Sequence, residues 1–157
     1  NALKLLNDKG EFVSGSDGAE ILKLAEGGEI SYAEVDDLGL LTEDTDGMQW
    51  HIDQILALSS VDAALVASKN FKVVIDAVHS SGSVAIPLLL DKMGVEYNNR
   101  YPEPNGQFPH NPEPLEKHLT EIITECASGS YDMGIVVDPD VDRLAFVDER
   151  GKKQTED

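Results

Sequence analysis

The sequence has little that would direct it to a membrane, an oxidising compartment or a nucleic acid. It contains a single cysteine, Cys126, so no intramolecular disulfide can form. Its 12 Lys and Arg stand against 30 Asp and Glu, a formal charge of −18, whereas binding to a phosphate backbone requires clustered basic side chains. No apolar run approaches the roughly 18–20 residues that span a bilayer, and no signal peptide is visible. We therefore expect no nucleic acid, no membrane partner and a cytoplasmic location.

What the sequence does contain is enough apolar material for a folded core, since 41% of its residues are hydrophobic. The first 45 residues predict one short helix, at about 19–25, and then an acidic, turn-rich linker. A second helix is predicted at about 48–58, with Ile52, Ile55 and Leu56 on one face. The chain begins at Asn1 rather than Met, inside an apparent element. We expect it to be a piece of a longer protein.

From residue 69 onwards, strands and helices alternate. The predicted strands are 73–75, 95–97, 134–137 and 144–147. The predicted helices are 85–93, with Pro87 in the first turn, and 111–129, capped by Asn111. Val73-Val74-Ile75 is a β-branched run typical of a strand that is buried on both faces. This alternation predicts an α/β fold with a mostly parallel, mixed sheet and helices on both of its faces.

One motif carries a specific chemistry: Asp138-Pro139-Asp140-Val141-Asp142-Arg143, between the last two predicted strands. Three carboxylates at alternate positions of an extended or turning segment can point to one side. Carboxylates packed that closely repel one another, and a divalent cation removes the repulsion. Oxygen-only ligation favours Mg²⁺, Mn²⁺ or Ca²⁺ over Zn²⁺. Arg143 beside them indicates an anion, such as a phosphate, that completes the metal shell.

Two other interpretations of this segment stay open from the residues alone. One is a charged turn that binds nothing. The other is a non-catalytic calcium-binding α/β module, because Asp138, Asp140, Asp142 and Glu149 match EF-hand loop positions 1, 3, 5 and 12. Against the EF-hand, Arg143 stands where that loop needs glycine, and the flanking segments predict strands rather than helices.

A phosphatase or another Asp-rich Mg²⁺ hydrolase is a third class. Such enzymes usually carry a nucleophilic Asp after the first strand, where Asp76 lies, but Val78 stands where a second Asp is expected. We interpret His79-Ser80-Ser81-Gly82 as a strand-to-helix loop rather than a nucleophile, and His110 as a turn residue rather than part of a cleft. The residues interpreted as packing or surface positions are Trp50 and His51.

The metal motif and its surroundings resemble the α-phosphohexomutases, the phosphoglucomutase/phosphomannomutase family. Asp138–Arg143 is similar to the Mg²⁺-binding loop of that family. Further similar segments occur in the same order: Phe71–Val78 through Gly82-Ser83, Glu103–Pro109, Asn111–Pro114, Asp132–Gly134 and Val147–Gly151. The resemblance implies three regions: 1–45, a truncated tail of the first mutase domain and an acidic linker; 46–68, a connecting helical segment; and 69–157, the second domain with its metal loop.

The resemblance also implies an activity, that of an intramolecular phosphotransferase of the isomerase class in carbohydrate metabolism. Such enzymes interconvert hexose 6-phosphate and hexose 1-phosphate through an enzyme phosphoserine and a bisphosphate intermediate. By resemblance, Asp138, Asp140 and Asp142 hold the Mg²⁺ and Arg143 steadies the phosphate. The sequence has no phosphoserine loop of Thr-Ala-Ser-His-Asn-Pro type. We therefore expect an inactive fragment, whose partners are the hexose phosphate and the remaining mutase domains.

Overall fold

The structure, a computed structural model, describes residues 4–28 and 30–154. The chain divides into two units, Asn1–Glu43 and Asp44–Asp157. Within the described ranges, no helix is both long and apolar enough to cross a membrane.

The first unit is built around one helix, α1 (Gly15–Glu26), and one short 3₁₀ turn (Val35–Asp37). Helix α1 begins where Ser14 and Asp17 form a reciprocal capping box, in which each side chain accepts a hydrogen bond from the other residue's backbone N–H. The acidic stretch that follows is exposed to solvent, as the sequence predicts. None of the described residues of this unit, 4–28 and 30–43, is buried.

The described part of the second unit, residues 44–154, contains a four-stranded sheet and four α-helices. The helices are α2 (Gly47–Leu56), α3 (Ala63–Ala67), α4 (Gly82–Lys92) and α5 (Thr120–Ala127), and the strands are β1 (Lys72–Asp76), β2 (Glu96–Asn99), β3 (Met133–Val137) and β4 (Leu144–Asp148). The strand order is β2-β1-β3-β4. Strand β1 pairs in parallel with β2 and β3, whereas β4 returns antiparallel to β3.

Both faces of the sheet are covered, which confirms the predicted fold class. On one face, Val74 of β1 packs with Val136, Val147 and two residues of α5, Ile122 and Cys126. On the opposite face, the neighbours of Val74 along the strand pack with Leu90 of α4; they are Val73 and Ile75. Successive side chains of a strand point to opposite faces, so an unbroken β-branched run contributes to both cores. Cys126 is fully buried, and burial raises the pKa of its thiol to about 11.

The predicted helix from Asn111 is wrong over its first half. Helix α5 begins only at Thr120, after a single 3₁₀ turn at Glu116–His118. The reason is Pro114, because a residue that precedes proline is disfavoured in the helical region, and Glu113 is that residue. Asn111 uses its side chain instead to accept a hydrogen bond from the backbone N–H of Glu113 at 3.0 Å, closing a local turn.

Helix α4 begins three residues earlier than predicted, so Pro87 lies inside the helix instead of in its first turn. Proline has no N–H to donate to the carbonyl four residues earlier, which here belongs to Ser83. That carbonyl accepts a hydrogen bond from the side-chain amide of Asn99, at the end of β2, at 2.8 Å. The contact between helix and sheet thus replaces the hydrogen bond that Pro87 cannot make.

A five-residue turn occurs once in each unit, at 7–11 and 148–152, although the sequence shows no evident repeat. In each, the first residue's N–H donates to the carbonyl four residues on, at 2.8 and 2.9 Å. The side chains of Asn7 and Asp148 each accept from backbone N–H groups two and four residues on. The fourth residue is a left-handed glycine, Gly10 or Gly151. Only the glycine is identical in the two segments, but the three positions before it carry chemically similar residues, Asn-Asp-Lys in one and Asp-Glu-Arg in the other.

The turn at Gly151 generates a first prediction, because this glycine also lies against α5. A Cβ at Gly151 would lie 2.6 Å from the Ile123 carbonyl oxygen and 2.9 Å from the Ala127 Cβ, whereas a Cβ at Gly129 would meet nothing within 4 Å. Both glycines are left-handed. We expect Gly129→Ala to lower the free energy of unfolding by about 1–2 kcal/mol. Gly151→Ala should cost about 1–3 kcal/mol more, since it adds overpacking.

Urea denaturation of the two variants measures this difference directly, because the backbone strain is common to both. Equal losses of stability would mean that the turn at 148–152 does not pack on α5.

Candidate metal centre

The carboxylates of the acidic motif lie together at the carboxyl end of β3. Asp138 directly follows that strand, and the segment 138–143 turns back into β4. The turn is closed by a hydrogen bond from the Val141 N–H to the Asp138 carbonyl at 3.1 Å. One carboxylate oxygen from each of Asp138, Asp140 and Asp142 lies within 4.8 Å of the other two. The structure therefore brings the three predicted ligands into one cluster.

Asp138 is the buried member of the cluster, with 1% of its surface exposed. One carboxylate oxygen accepts from the backbone N–H groups of Asp142 and Arg143, at 3.1 and 3.2 Å, and the other accepts from Arg143 Nε at 2.9 Å. Burial by itself would raise the pKa of Asp138, but the hydrogen bonds from Arg143 and Asp142 outweigh it and hold that pKa below its ordinary value. The carboxylate is thus stabilised in its ionised form.

Arg143 connects this cluster to a distant part of the chain. Its Nε donates to Asp138, and its Nη1 donates to an oxygen of Glu113 at 3.0 Å. The hydrogen bond with Asp138 is the main cause that raises the pKa of Arg143. A guanidinium held by two carboxylates on different segments has its plane fixed as well as its position.

The arrangement fits a hard divalent cation. All donors are carboxylate oxygens, and those of Asp140 and Asp142 come from residues that are exposed, so a cation can approach from solvent. A cation held by few protein carboxylates retains several waters, as Mg²⁺ does readily.

The EF-hand interpretation is wrong on this geometry. Strand β4 begins at Leu144 beside the acidic turn and ends at Asp148, which pairs with Met133 at the start of β3. Glu149 follows Asp148 and so lies at the opposite end of these strands from the acidic turn. The four residue steps from Leu144 to Asp148 separate the two ends by about 14 Å at the rise of an extended strand. Glu149 cannot share a cation with Asp138.

The spacer Val141 has an unfavourable backbone conformation. Its φ is +59°, in the left-handed region that a β-branched residue rarely adopts. The segment is accordingly a tight turn rather than an extended, alternating one. The motif's pattern predicts the residues that meet but does not reveal this strain.

A second buried carboxylate lies at the carboxyl end of the neighbouring strand, β1. Asp76 ends β1, is 1% exposed, and accepts a hydrogen bond from the Val78 N–H at 3.2 Å. Its other oxygen lies 2.9 Å from His110 Nε2, and His110 Nδ1 lies 2.9 Å from the carbonyl oxygen of Asn111. An enclosed, paired carboxylate of this kind is poorly suited to the nucleophilic role that a phosphatase would require.

Sequence reasoning missed the Asp76–His110 pair and the role of Glu113. The only signal was indirect, since an ionisable residue that ends a buried strand needs a partner. His79, in the loop after β1, contacts the backbone: its Nδ1 lies 2.8 Å from the Glu103 carbonyl oxygen. Trp50 is exposed, in agreement with its interpretation as a surface residue.

Comparison with known proteins identifies the same region of the chain. A family model described as phosphoglucomutase/phosphomannomutase, alpha/beta/alpha domain II, matches residues 49–151. Similar proteins include a probable phosphoglucosamine mutase of Methanopyrus kandleri, 29% identical over 97% of this chain and 32% of that protein. Another, from Methanosarcina barkeri, is 32% identical over 95% of this chain and 33% of that protein. The phosphoglucomutase/phosphomannomutase of Thermococcus kodakarensis is 29% identical over 97% of this chain and 33% of that protein.

Two solved structures share the fold. A putative phosphomannomutase from Thermus thermophilus has a TM-score of 0.59 at 19% identity, over 68% of this chain and 25% of that one. A phosphoglucomutase/phosphomannomutase family protein from Burkholderia thailandensis has a TM-score of 0.51 at 23% identity, over 65% and 22%. At such identities the likeness concerns the fold alone. The chain spans about a third of the length of the curated relatives it matches.

The left-handed backbone at Val141 generates a second prediction. Strain of this kind costs about 1–3 kcal/mol, whereas the added chain entropy of glycine costs about 0.5–1 kcal/mol. We expect Val141→Gly to raise the free energy of unfolding by about 1 kcal/mol. Val141→Ala, which keeps a Cβ, should recover only part of this gain. Urea denaturation of both variants provides the measurement, and a Val141→Gly protein less stable than wild type would contradict it.

A third prediction follows from the lowered pKa of Asp138. A carboxyl group whose pKa is lower in the folded state stabilises the fold above its unfolded pKa, and that contribution is lost as the pH falls through the folded pKa. We expect Asp138→Asn to cost about 1–3 kcal/mol at neutral pH. The difference from wild type should begin to shrink only below the ordinary carboxyl pKa of about 3.9, and should go on shrinking as the pH falls through the lowered pKa of the folded Asp138. Urea denaturation at several pH values tests this, and a cost that did not change with pH would contradict it.

Proposed function

The chain belongs to the phosphoglucomutase/phosphomannomutase family, in which its residues 49–151 correspond to domain II, and from this we propose that it supplies the Mg²⁺-binding part of a phosphohexomutase. The parent enzyme would interconvert hexose 6-phosphate and hexose 1-phosphate. The observation that carries the proposal is the cluster of three carboxylates, within 4.8 Å of one another, at the carboxyl end of β3. Ligands of open α/β sheets characteristically bind at that end of the strands.

In the proposed site, the carboxylates of Asp138, Asp140 and Asp142 bind the cation. A bound Mg²⁺ would neutralise charge on a phosphoryl group, which is the main requirement of phosphoryl transfer. Asp138 is suited to a ligand role because its hydrogen bonds keep it ionised. Asp140 and Asp142, from the exposed side of the turn, complete the protein's share of the oxygen ligands.

Arg143 is proposed to bind the phosphate. It lies beside the carboxylate cluster, and 52% of its side chain is exposed, so part of its guanidinium can meet an incoming anion. The five N–H donors of arginine suit it to bind phosphate and a carboxylate together. In this way the cation and Arg143 would contact the same phosphoryl group from two sides.

The chemistry itself requires groups outside this sequence. We propose that a serine of the parent enzyme carries the phosphoryl group, transfers it to the free hydroxyl of a hexose phosphate, and recovers the other phosphate from the resulting bisphosphate. The present sequence has no segment of the phosphoserine type. The 157-residue chain is therefore proposed to bind metal but not to turn over substrate. Its proposed partners are the hexose phosphate and the other mutase domains.

A fourth prediction tests the metal site. With only three carboxylates present, we expect Mg²⁺ to bind the chain with a Kd on the order of millimolar. Asp140→Ala should weaken binding roughly tenfold, about 1.4 kcal/mol, because it removes one ligand and one charge. The metal-free fold should be intact or slightly stabilised, since repulsion within the cluster falls.

Isothermal titration of Mg²⁺ and Mn²⁺ provides the measurement. Glu149→Ala is the matched control. It removes a carboxylate that is close to the acidic turn in sequence but lies at the opposite end of the strands, so it should leave the affinity for the metal unchanged. Equal binding by wild type and Asp140→Ala would mean that the acidic turn is not a metal site.

A further inference from the structure

The long connection between β2 and α5, residues 100–119, lies along the carboxyl ends of the strands. Near its start, Ser83 of α4 donates its hydroxyl to the Tyr101 carbonyl at 2.6 Å. Further along, the Gly106 N–H donates to the His79 carbonyl at 2.9 Å, while His79 Nδ1 lies 2.8 Å from the Glu103 carbonyl oxygen. This connection has little regular structure, so contacts of this kind decide where it lies.

His110 contacts Asp76, whose side chain is 2% exposed. A carbonyl oxygen can only accept, so the contact of Nδ1 with the Asn111 carbonyl requires a proton on Nδ1. Nε2, the other ring nitrogen, lies 2.9 Å from the Asp76 carboxylate. Both ring nitrogens are occupied, and His110 is not available as a base toward a substrate while these contacts hold. Its contact with Asp76 attaches the connection between β2 and α5 to the end of β1.

Three residues further on, Glu113 makes the contact with the candidate site. Its backbone is held on both sides, because its N–H donates to the Asn111 side chain at 3.0 Å and its carbonyl accepts from the Leu115 N–H at 2.7 Å. Its carboxylate accepts from Arg143 Nη1. About half of each side chain in this pair is exposed, 52% for Arg143 and 48% for Glu113. Such a pair contributes little to stability, but it gives the guanidinium a second point of contact, on a segment other than the acidic turn.

We propose that His110 and Glu113 are positioning residues. They connect residues 110–113 to Asp76 and to Arg143, and they thereby fix the plane of the Arg143 guanidinium relative to Asp138. The inference rests on the proposed function only for the use of that orientation, the binding of a phosphate by Arg143. The orientation itself is a property of the metal-free chain.

The experiment follows the Nε–Hε signal of Arg143 by ¹H–¹⁵N NMR on the 157-residue chain. The sequence contains three arginines, Arg100, Arg143 and Arg150, so Arg143→Lys assigns the signal by its loss. In wild type, the Nε–H that donates to Asp138 should exchange slowly with water. Glu113→Gln should accelerate this exchange roughly threefold to fivefold, the change that corresponds to the loss of one exposed ion pair.

His110→Ala provides the sharper test, because His110 does not contact Arg143. It should accelerate exchange at Arg143 at least as much as Glu113→Gln does, while the Arg150 signal stays unchanged. If His110→Ala does not fold, Asp76→Asn takes its place, since it removes the carboxylate that faces His110 Nε2 and leaves Glu113 and Asn111 unchanged. Glu116→Gln is the matched control: it removes a carboxylate from the same segment and should have no effect.

The proposal is overturned if the Arg143 Nε–H exchanges at the wild-type rate in Glu113→Gln. It is equally overturned if that rate stays at the wild-type value in the variant that removes the contact between His110 and Asp76. Either outcome is distinct from a failure of the proposed function. The NMR measurement uses no metal and no phosphate, so an absent response to Mg²⁺ would leave the positioning result intact, and slow exchange would not rescue the metal site.

Discussion

The ionised carboxylate of Asp138 is the constraint on which the rest of the candidate site depends. It lies at the end of a central strand with 1% of its surface exposed, and a charge in that position is costly unless it is paired and hydrogen-bonded. The turn 138–143 meets this requirement by directing two backbone N–H groups and the Arg143 guanidinium at the carboxylate. The left-handed conformation of Val141 is part of the same turn. The strain is tolerated because the turn satisfies the buried charge.

The need of a buried carboxylate for a basic partner also accounts for contacts further from the acidic turn. Arg143 is shared with Glu113, and the segment that contains Glu113 is fastened by His110 to a second buried carboxylate, Asp76. Asp76 and Asp138 end neighbouring parallel strands, β1 and β3. Two buried carboxylates at the same end of neighbouring strands would repel each other if neither had a basic partner. Each has a basic partner, and the connection between β2 and α5 joins the two pairs. The irregular connection is thus part of the electrostatic structure of the site.

The regular elements of the second unit were largely predictable, and the exceptions have identifiable causes. The β-branched run at Val73–Ile75 and the apolar segment before the acidic turn became the central strands β1 and β3, because central strands require apolar side chains on both faces. The apolar segment after the turn became β4, an outer strand in which only alternate side chains are buried. The helix predicted from Asn111 failed at Pro114, whose effect on the preceding residue outweighed a favourable cap. Helix α4 begins earlier than predicted, and Asn99 of β2 satisfies the carbonyl that Pro87 then leaves unpaired. That compensation comes from another element and is invisible locally.

The sequence by itself determined the composition of the acidic cluster and its place after a buried strand. Three carboxylates at alternate positions, in a turn too short to separate them, must lie close together whatever the remaining chain does. Only the tertiary structure decided what surrounds them. His110 is 34 residues from Asp76, and Arg143 is 30 residues from Glu113. Contacts between residues so far apart depend on the order of the strands and the course of an irregular connection. No local pattern of residues specifies either, because a hydrogen bond requires a separation of about 3 Å that only the completed fold provides.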